Sequence, residues 1–408
     1  MFRAGVDLGG TKIQVAVLDQ QNKVLGTHRC ATPTEGGPAA VTDAIAVAVR
    51  AAAEAGSTPA AQIVGVGVGA PGQIDVDAGT VSNAGNLPNW MITYPLGSEL
   101  SQRLDGVPVA IANDVQVAVN AELRLGAGQE FDSLIGVFCG TGVGGGLVID
   151  NELWLGRGAA GEIGHVCIDA GKNGAPCTCG RTGCMEAYAG RAAMEIQARK
   201  WVQKGRRTEL FKIMKKKKRE RLASGVWDAA LKENDKMATK LVNRAIWALG
   251  AGVGSSVNLT DVEAVIVGGG LGVRLGQPFA DKIAAAMKPH LIKPDQAPPV
   301  IVAALGDLGG AIGAALLVSN VEAMATDRKR APLKATKSVA KRAVAVGATK
   351  KTPTTKSPAK KAPAKKAPVK KVPVKKAMAA KVASTKVATT KAAIALAKAP
   401  AEVSASHP

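Results

Sequence analysis

Short apolar runs and helical patterns alternate along the first 320 residues of the chain. Arg3–Leu8 and Ile13–Leu18 are apolar runs separated by the polar turn Gly9–Lys12, which predicts a β-hairpin. Residues 38–55 then place apolar side chains at every fourth position, which predicts an amphipathic helix. Strands that alternate with helices are typical of an α/β fold with a largely parallel sheet between helical layers.

An approximate internal repeat divides this pattern into two related halves. Gly5–Thr11 opens an apolar hairpin, and Gly136–Gly142 opens a similar one. A period of about 130 residues is too long for a solenoid and favours two halves whose glycine-rich turns face outward. The further predicted strands are Ile63–Val68, Val107–Ala112 and Val262–Val267, and the further predicted helices occupy Val115–Leu125, residues 190–250 and residues 306–320.

Charge separates a neutral body from a strongly basic C-terminal segment. Of the 53 Lys and Arg in 408 residues, 22 lie in residues 328–408, together with one acidic residue, Glu402. Residues 1–327 carry 31 basic and 31 acidic residues and are therefore neutral overall. The motif Lys-Lys-x-Pro-x recurs in the basic segment, and its proline content and charge density predict a disordered tail.

Composition excludes several classes of protein. No apolar run approaches the about 20 residues that span a membrane, and Asp7 interrupts the apolar start that a secretory signal would need. Six cysteines are too few for a disulfide scaffold. Aromatic residues make up 3% of the chain, which is too few for a nucleic-acid module built on base stacking.

Three glycine-rich turns are candidates for binding phosphate. Backbone N–H groups in such turns can close around phosphate oxygens because no Cβ intervenes. Gly9–Lys12 follows Asp7, which could hold Mg²⁺ through water, although an ordinary hairpin also explains this segment. Gly140–Gly145 fits a dinucleotide fingerprint but lies between two strands, which excludes that interpretation. With Gly268–Gly270 after a third strand, the turns together favour a nucleotide held between two lobes.

A histidine and three closely spaced cysteines form a candidate metal site. His165 precedes Cys177, Cys179 and Cys184. One imidazole with three thiolates suits tetrahedral structural zinc, and thiols kept for metal indicate a reducing compartment. The alternative is a set of buried free thiols beside an unrelated histidine.

Two sets of polar residues are candidates for acting on a substrate. Asn113 and Asp114 follow a predicted strand at its carboxyl end, where α/β sheets place their chemistry. Asp114 there suits a general base for a hydroxyl proton, or alternatively a cap for the next helix. Glu162, His165 and Glu186 bracket the cysteines and suit hydrogen bonds to sugar hydroxyls, or alternatively are ordinary exposed charges.

Taken together, these motifs resemble the ROK family (repressor, open reading frame, kinase). Asp7–Lys12 is similar to the first phosphate motif of this family, Cys139–Gly146 to the second, and Val267–Gly270 to the adenosine motif. Gly158–His165 with Cys177–Glu186 is similar to the family signature. The family belongs to the sugar kinase, Hsp70 and actin ATPase fold, which is ribonuclease H-like.

The resemblance covers roughly residues 3–320 and implies a two-lobed, actin-like α/β fold. We expect an N-terminal lobe at residues 1–120, closed by the helix at 307–320, and a C-terminal lobe with the zinc site at 121–306. The disordered basic tail would follow at 328–408. The implied reaction is ATP-dependent phosphorylation of a hexose, glucose, at its 6-hydroxyl, with ATP, Mg²⁺ and Zn²⁺ as cofactors.

The resemblance also implies a role for each candidate residue, with Asp114 as the catalytic base. The residues expected to bind the sugar are Gly72, Asn86, Asn113, Asp114, Glu162, His165 and Glu186. The residues expected to bind ATP are Asp7, Gly9, Gly10, Thr11, Lys12, Gly140, Thr141, Gly142, Gly268, Gly269 and Gly270. The residues expected to bind zinc are His165, Cys177, Cys179 and Cys184, and His165 would serve both sugar and metal through its two ring nitrogens.

Two departures from the family pattern bear on function. Family repressors carry a DNA-binding helix-turn-helix ahead of the kinase part. Here the first phosphate motif begins within ten residues of Met1, which favours an enzyme over a non-catalytic sugar-responsive regulator. The tail resembles those of linker histones, and we expect it to bind nucleic acid without sequence preference.

Several alternatives stay open at the level of substrate and assembly. N-acetylmannosamine, N-acetylglucosamine and fructose are alternative sugars, and polyphosphate is an alternative phosphoryl donor. We expect a homo-oligomer of two or four subunits in the cytoplasm, without a membrane partner, and associated with the nucleoid through the tail.

Overall fold

Two mixed β-sheets of five strands each organise the part of the chain that the structure describes. The computed structural model describes residues 1–318 except Asn86 and Asn173. The strands are β1 (Phe2–Leu8), β2 (Lys12–Leu18), β3 (Val24–Ala31), β4 (Ile63–Ala70), β5 (Gln73–Asp75), β6 (Thr80–Ser82), β7 (Val109–Asn113), β8 (Leu134–Cys139), β9 (Val143–Ile149), β10 (Glu152–Leu153), β11 (Ala264–Gly268) and β12 (Val300–Val302). The helices are α1 (Gly37–Ala55), α2 (Leu96–Arg103), α3 (Asp114–Leu125), α4 (Glu186–Ala189), α5 (Arg191–Gln203), α6 (Leu210–Lys216), α7 (Ser224–Lys232), α8 (Lys236–Thr260), α9 (Gly269–Leu275), α10 (Gln277–Met287) and α11 (Gly309–Leu316).

The two sheets have the same topology. The N-terminal sheet has the order β3-β2-β1-β4-β7, and the C-terminal sheet has the order β10-β9-β8-β11-β12. In each, the first three strands pair antiparallel and the last two pairings are parallel. The repeated hairpins β1–β2 and β8–β9 therefore open two equivalent sheets. The expectation of largely parallel sheets was wrong, because each hairpin contributes antiparallel pairings to half of its sheet.

Several elements differ from the sequence-based expectations. The edge strand β3 was not predicted, because its outer half alternates exposed polar and partly buried residues. The short elements β5, β6, β12 and α2 were also missed. The long helical region at 190–250 is divided into α5, α6, α7 and the start of α8 by three loops. The closing helix α11 is preceded by a 3₁₀ turn at Gly306–Leu308.

Two helices, α11 and α3, lie between the two sheets. Gly5 and Gly67 face α11, and a Cβ on either glycine would overlap a backbone carbonyl of that helix. Gly313 of α11 lies equally close to the carbonyl of Val117 in α3. On the far side of α3, Val119 packs against Gly136 of the C-terminal sheet. Glycine at these crossings allows the layers to pack closer than side chains would permit.

The domain boundaries and the ends of the body complete the comparison of the fold with the sequence. The domain boundaries at residues 120 and 306 stay predictions, and α3 itself runs through residue 120. The predicted disordered tail at 328–408 lies outside the described residues. Among the helices that the structure describes, none is long and apolar enough to cross a membrane.

Candidate active site

The first glycine turn connects β1 to β2 and is held in place by Thr32. The N–H of Gly9 donates to the carbonyl of Lys12 over 2.9 Å, and Thr32 Oγ1 donates to the carbonyl of Gly9 over 2.6 Å. Asp7, at the end of β1, lies 3.6 Å from Lys12 Nζ. Burial raises the pKa of Asp7 despite the opposing effect of Lys12. The turn therefore lies directly beside the carboxyl group of Asp7.

Asp114 is the first residue of α3, and its neighbour Asn113 caps that helix. The side-chain oxygen of Asn113 accepts from the N–H groups of Val115 and Gln116 over 3.0 and 3.2 Å. Asp114 Oδ1 also accepts from Val115 N over 2.9 Å. The alternative of a helix cap thus applies to Asn113, while Asp114 lies at the positive end of the helix.

The carboxyl group of Asp114 is difficult to ionise. Burial, and after it the charge of Asp7, raise its pKa to about 7, and the charge of Glu162 contributes in the same direction. The structure therefore brings Asp7, Asp114 and Glu162 into one electrostatic environment, although they lie on β1, on α3 and in a loop after β10. A carboxyl group with a pKa near neutrality can exchange a proton with a hydroxyl group.

The second glycine turn, between β8 and β9, is fixed by residues that follow the cysteines. Arg191 Nε donates to the carbonyl of Gly140 over 3.0 Å, at the start of α5. Glu186 Oε2 accepts from Val143 N over 3.0 Å, and a Cβ on Gly142 would overlap this same oxygen. A side chain at residue 142 would therefore displace the Glu186 carboxylate from its hydrogen bond to Val143.

The third glycine turn packs directly against the strand that leads to the second. A Cβ on Gly268 would lie 2.5 Å from the ring of Phe138, and one on Gly269 would lie 2.7 Å from the N–H nitrogen of Cys139. Gly269 has a φ of +73°, which favours glycine. Gly270 faces Ser224 Oγ at the start of α7. The third turn thus packs against the end of β8, where the second turn begins.

The four predicted metal ligands lie together. One donor atom from each of His165, Cys177, Cys179 and Cys184 lies within 4.8 Å of all the others. Cys179 Sγ is 3.7 Å from Cys184 Sγ, and His165 Nδ1 is 3.7 Å from Cys177 Sγ. Zinc with four such ligands at bonds of about 2.0–2.3 Å requires neighbouring donor atoms roughly 3.5–3.8 Å apart. The donor set and its spacing therefore fit tetrahedral zinc.

The candidate metal cluster, formed by His165, Cys177, Cys179 and Cys184, contacts the second glycine turn through Glu186. Glu186 Oε1 accepts from Thr178 Oγ1 over 3.0 Å and lies 3.8 Å from Cys177 Sγ, while Oε2 holds the N–H of Val143. Each carboxylate oxygen of Glu186 has a second lone pair and can accept one further hydrogen bond. Beside Cys179, Arg181 lowers the pKa of the thiol to about 6, whereas burial raises the pKa of the Cys177 and Cys184 thiols.

His165 is positioned by the close approach of its loop to β9. It ends the 3₁₀ turn Ile163–His165, and a Cβ on Gly164 would overlap the carbonyl of Val143. Because Nδ1 faces the cysteines, the other ring nitrogen lies on the side away from them. Glu162 immediately precedes this turn.

Two predicted sugar ligands remain less well defined. Gly72 follows β4 and has a φ of +97°, and a Cβ there would lie 2.6 Å from the carbonyl of Ser82. Gly72 therefore has a structural role in this turn, because its positive φ and the close Ser82 carbonyl both favour glycine. Asn86 lies outside the described residues. Sequence reasoning missed Arg191 and Ser224, since neither belongs to a local motif and both reach the glycine turns only in the folded chain.

Comparison with known proteins identifies the family. The profile of the ROK family matches residues 3–321. The chain belongs to the ROK family. The resemblance predicted from the motifs is therefore confirmed, as is the two-lobed α/β fold, whose sheets are mixed rather than largely parallel.

Individual ROK proteins are similar over most of their length. The glucokinase of Streptomyces coelicolor is 35% identical over 316 residues, which cover 76% of this chain and 95% of that protein. The N-acetylmannosamine kinase of Yersinia pestis is 30% identical over 284 residues, covering 69% and 87%. The crystal structure of a ROK family glucokinase from Streptomyces griseus, in complex with glucose and AMPPNP, has a TM-score of 0.65 and 33% identity. It covers 78% of this chain, which in turn covers 99% of that structure.

Proposed function

We propose that this protein is a glucokinase that transfers the γ-phosphoryl group of ATP to the 6-hydroxyl of glucose, with Asp114 as the general base. The observation that carries this proposal is the position of Asp114 at the N-terminus of α3, close to Asp7 and Glu162. Burial and the charge of Asp7 there raise its pKa to about 7. A carboxylate of this basicity suits removal of a proton from a sugar hydroxyl near neutral pH.

In this reaction Asp114 takes the proton of the 6-hydroxyl as the sugar oxygen bonds to the γ-phosphorus. The bond between that phosphorus and the β,γ-bridging oxygen breaks, and ADP leaves with the electron pair. The three glycine turns, namely Gly9–Lys12, Gly140–Gly142 and Gly268–Gly270, would orient the nucleotide through backbone N–H groups. Asp7 would hold Mg²⁺ through water, and this ion would neutralise phosphate charge.

The sugar would be held by residues around the metal cluster. Asn113, Glu162, His165 and Glu186 would bind its hydroxyl groups, together with Gly72 and Asn86. Zinc on His165, Cys177, Cys179 and Cys184 would act structurally, since four protein ligands leave no open position for a reacting water. His165 would bind zinc through Nδ1 and a sugar hydroxyl through its other nitrogen.

Glucose is supported as the substrate by the named relatives. The Streptomyces coelicolor glucokinase aligns with this chain at higher identity and over more of its length than the Yersinia pestis N-acetylmannosamine kinase does. The solved Streptomyces griseus structure holds glucose and an ATP analogue. We therefore propose glucose over N-acetylmannosamine, N-acetylglucosamine and fructose.

Steady-state phosphorylation of these four sugars, with ATP and with polyphosphate as donors, tests the proposal. Asp114→Asn should lower kcat for glucose by about 10²–10⁴-fold while leaving glucose binding intact, because only the base is removed. Turnover of glucose by this variant within about threefold of wild type would contradict the assignment of the base. Preference of the wild-type protein for another sugar would contradict the assignment of the substrate.

We also propose that the basic segment at 328–408 binds nucleic acid without sequence preference. Its 22 Lys and Arg, one acidic residue and absence of aromatic residues favour contacts with phosphates over contacts with bases. A homo-oligomer of two or four subunits, a cytoplasmic location and association with the nucleoid stay predictions. The mass of the purified protein by light scattering tests the first of these.

A further inference from the structure

Glu122 is a buried carboxylate to which the mechanism above assigns no role. It lies in α3, two turns after Asp114, and exposes 1% of its surface. Its Oε2 accepts from the N–H groups of Ala127 and Ala304, each over 2.9 Å, and its Oε1 accepts from the N–H of Leu305 over 2.9 Å. A buried carboxylate that accepts three such bonds is a strong and directional anchor.

The three donors belong to the two connections that join the sheets. Ala127 lies between α3 and β8, where the chain passes from the N-terminal to the C-terminal sheet. Ala304 and Leu305 lie between β12 and α11, where the chain returns to the N-terminal sheet. A single side chain therefore ties the outgoing connection to the returning one, and its bond to Ala304 spans 182 residues of sequence.

Each tied helix also places a carboxyl group of the candidate active site. The first residue of α3 is Asp114. At the start of α11, Gly310 lies so close to Asp7 that a Cβ there would come within 2.9 Å of Asp7 Cγ. Asp114 is thus positioned by α3, and Asp7 lies against α11. Glu122 lies in α3 and binds the segment that leads into α11.

We propose that Glu122 is a latch that couples the sugar side of the active site to its nucleotide side. Because α3 carries this carboxylate and the segment that leads into α11 is bonded to it, a ligand bound beside Asp114 and a ligand bound beside Asp7 favour the same arrangement of the two connections. Glu122 is a positioning residue and touches neither substrate. The inference rests on the proposed function, since it assumes a sugar and a nucleotide in these two places.

The test compares Glu122→Gln with a matched control, Asp235→Asn. Asp235 exposes 8% of its surface and also accepts three hydrogen bonds, from Thr208 Oγ1, Glu209 N and Ala238 N. All of its partners lie between β10 and β11, away from both connections. Both substitutions replace a buried carboxylate with an amide whose NH₂ group faces a backbone N–H that can only donate. Only in Glu122→Gln does that N–H belong to a connection between the sheets.

The measurement is the Kd of a non-hydrolysable ATP analogue with and without saturating glucose. In the wild-type protein glucose should tighten analogue binding by about fivefold or more, a usual size for coupled sites. In Glu122→Gln this ratio should fall to about twofold or less and kcat should fall about tenfold, while the Kd for glucose alone changes by less than about threefold. Asp235→Asn should keep the wild-type ratio.

Three outcomes would overturn the latch: a wild-type ratio near one, an unchanged ratio in Glu122→Gln, or an equal loss of the ratio in Asp235→Asn. If Glu122→Gln does not fold, as judged by circular dichroism, the same ratio of Kd values is measured on Glu122→Asp. The shorter side chain keeps the charge but cannot reach both connections, so the ratio should again fall. Absence of sugar phosphorylation by wild type would refute the proposed function, whereas normal phosphorylation without coupling would refute the latch alone.

Discussion

Asp114 lies where a carboxyl group is difficult to ionise, and this determines how activity should depend on pH. The base must be deprotonated to act, and its pKa is raised to about 7. We therefore expect kcat/KM for glucose to fall about tenfold per pH unit below pH 7 and to level off above it. A profile that stays flat down to pH 5 would show that Asp114 ionises as an ordinary aspartate.

The same burial predicts that Asp114→Asn stabilises the protein. A carboxyl group whose pKa is raised in the folded state holds its proton more tightly there than in the unfolded chain. Its ionisation therefore destabilises the fold progressively between about pH 4 and pH 7, and fully above pH 7. Asparagine removes this cost, so its gain in the free energy of unfolding should be larger at pH 8 than at pH 5, by about 1 kcal/mol or more. Urea unfolding at the two pH values measures the difference.

The metal cluster should behave as part of the fold. Cys179→Ser should lose zinc and lower the Tm, because structural zinc contributes folding energy. Glucose affinity should fall as well, since the cluster supports His165 and Glu186. Cys167→Ser is the matched control, an exposed cysteine of the same loop outside the four-ligand cluster, and it should keep its zinc. Elemental analysis that finds no zinc in the wild-type protein would remove the basis of this prediction.

At the scale of secondary structure elements, close packing of helices on sheets depends on glycine. A Cβ on Gly67 would overlap the carbonyl of Ala314 in α11. Gly67→Ala should therefore cost about 1–3 kcal/mol of stability, because neither β4 nor α11 can move without disturbing the other layers. Gly225 lies in α7, and a Cβ there would have no neighbouring atom within 4 Å among the residues that the structure describes. Gly225→Ala is therefore the control. That control should be neutral or stabilising by up to about 1 kcal/mol, and an equal loss in both would contradict the packing argument.

The elements that were predicted correctly are those with strong local signals. β1, β2, β4 and β8 are mostly apolar runs next to glycine, and α1 repeats its apolar positions at a helical spacing. The missed elements lack such signals. β3 is a half-exposed edge strand, and β12 has three residues and exists because β11 offers an edge for it to pair with. Short strands of this kind are specified by their neighbours rather than by their own sequence.

At the scale of the whole molecule, the charge of the chain is concentrated in the segment 328–408. Truncation after Thr326 should leave kinase kinetics nearly unchanged, because residues 1–327 are neutral overall. It should abolish the retardation of DNA in a gel-shift assay, and the full-length protein should lose its DNA affinity steeply as salt rises. Retardation by the truncated protein at low salt would locate the binding in the body, for example at the exposed run Lys215–Arg219. Replacing that run with serine in the truncated protein separates these two sources.

The sequence by itself indicated the two related halves, the three glycine turns, the four candidate metal ligands and the candidate base. Each of these is encoded by residues close together along the chain, through hydrophobic periodicity, glycine content or cysteine spacing. The same local information was sufficient to indicate the ROK family, which the comparisons confirm.

The tertiary structure decided how these parts act on one another. The pKa of Asp114 depends on burial and on Asp7, which lies over 100 residues away along the chain. Arg191, at the start of α5, donates to the carbonyl of Gly140 in the second glycine turn. Glu122 finds two of its three partners beyond β12. No local pattern encodes such pairs, because they form when packed layers bring distant backbone and side-chain groups into contact and exclude water from between them.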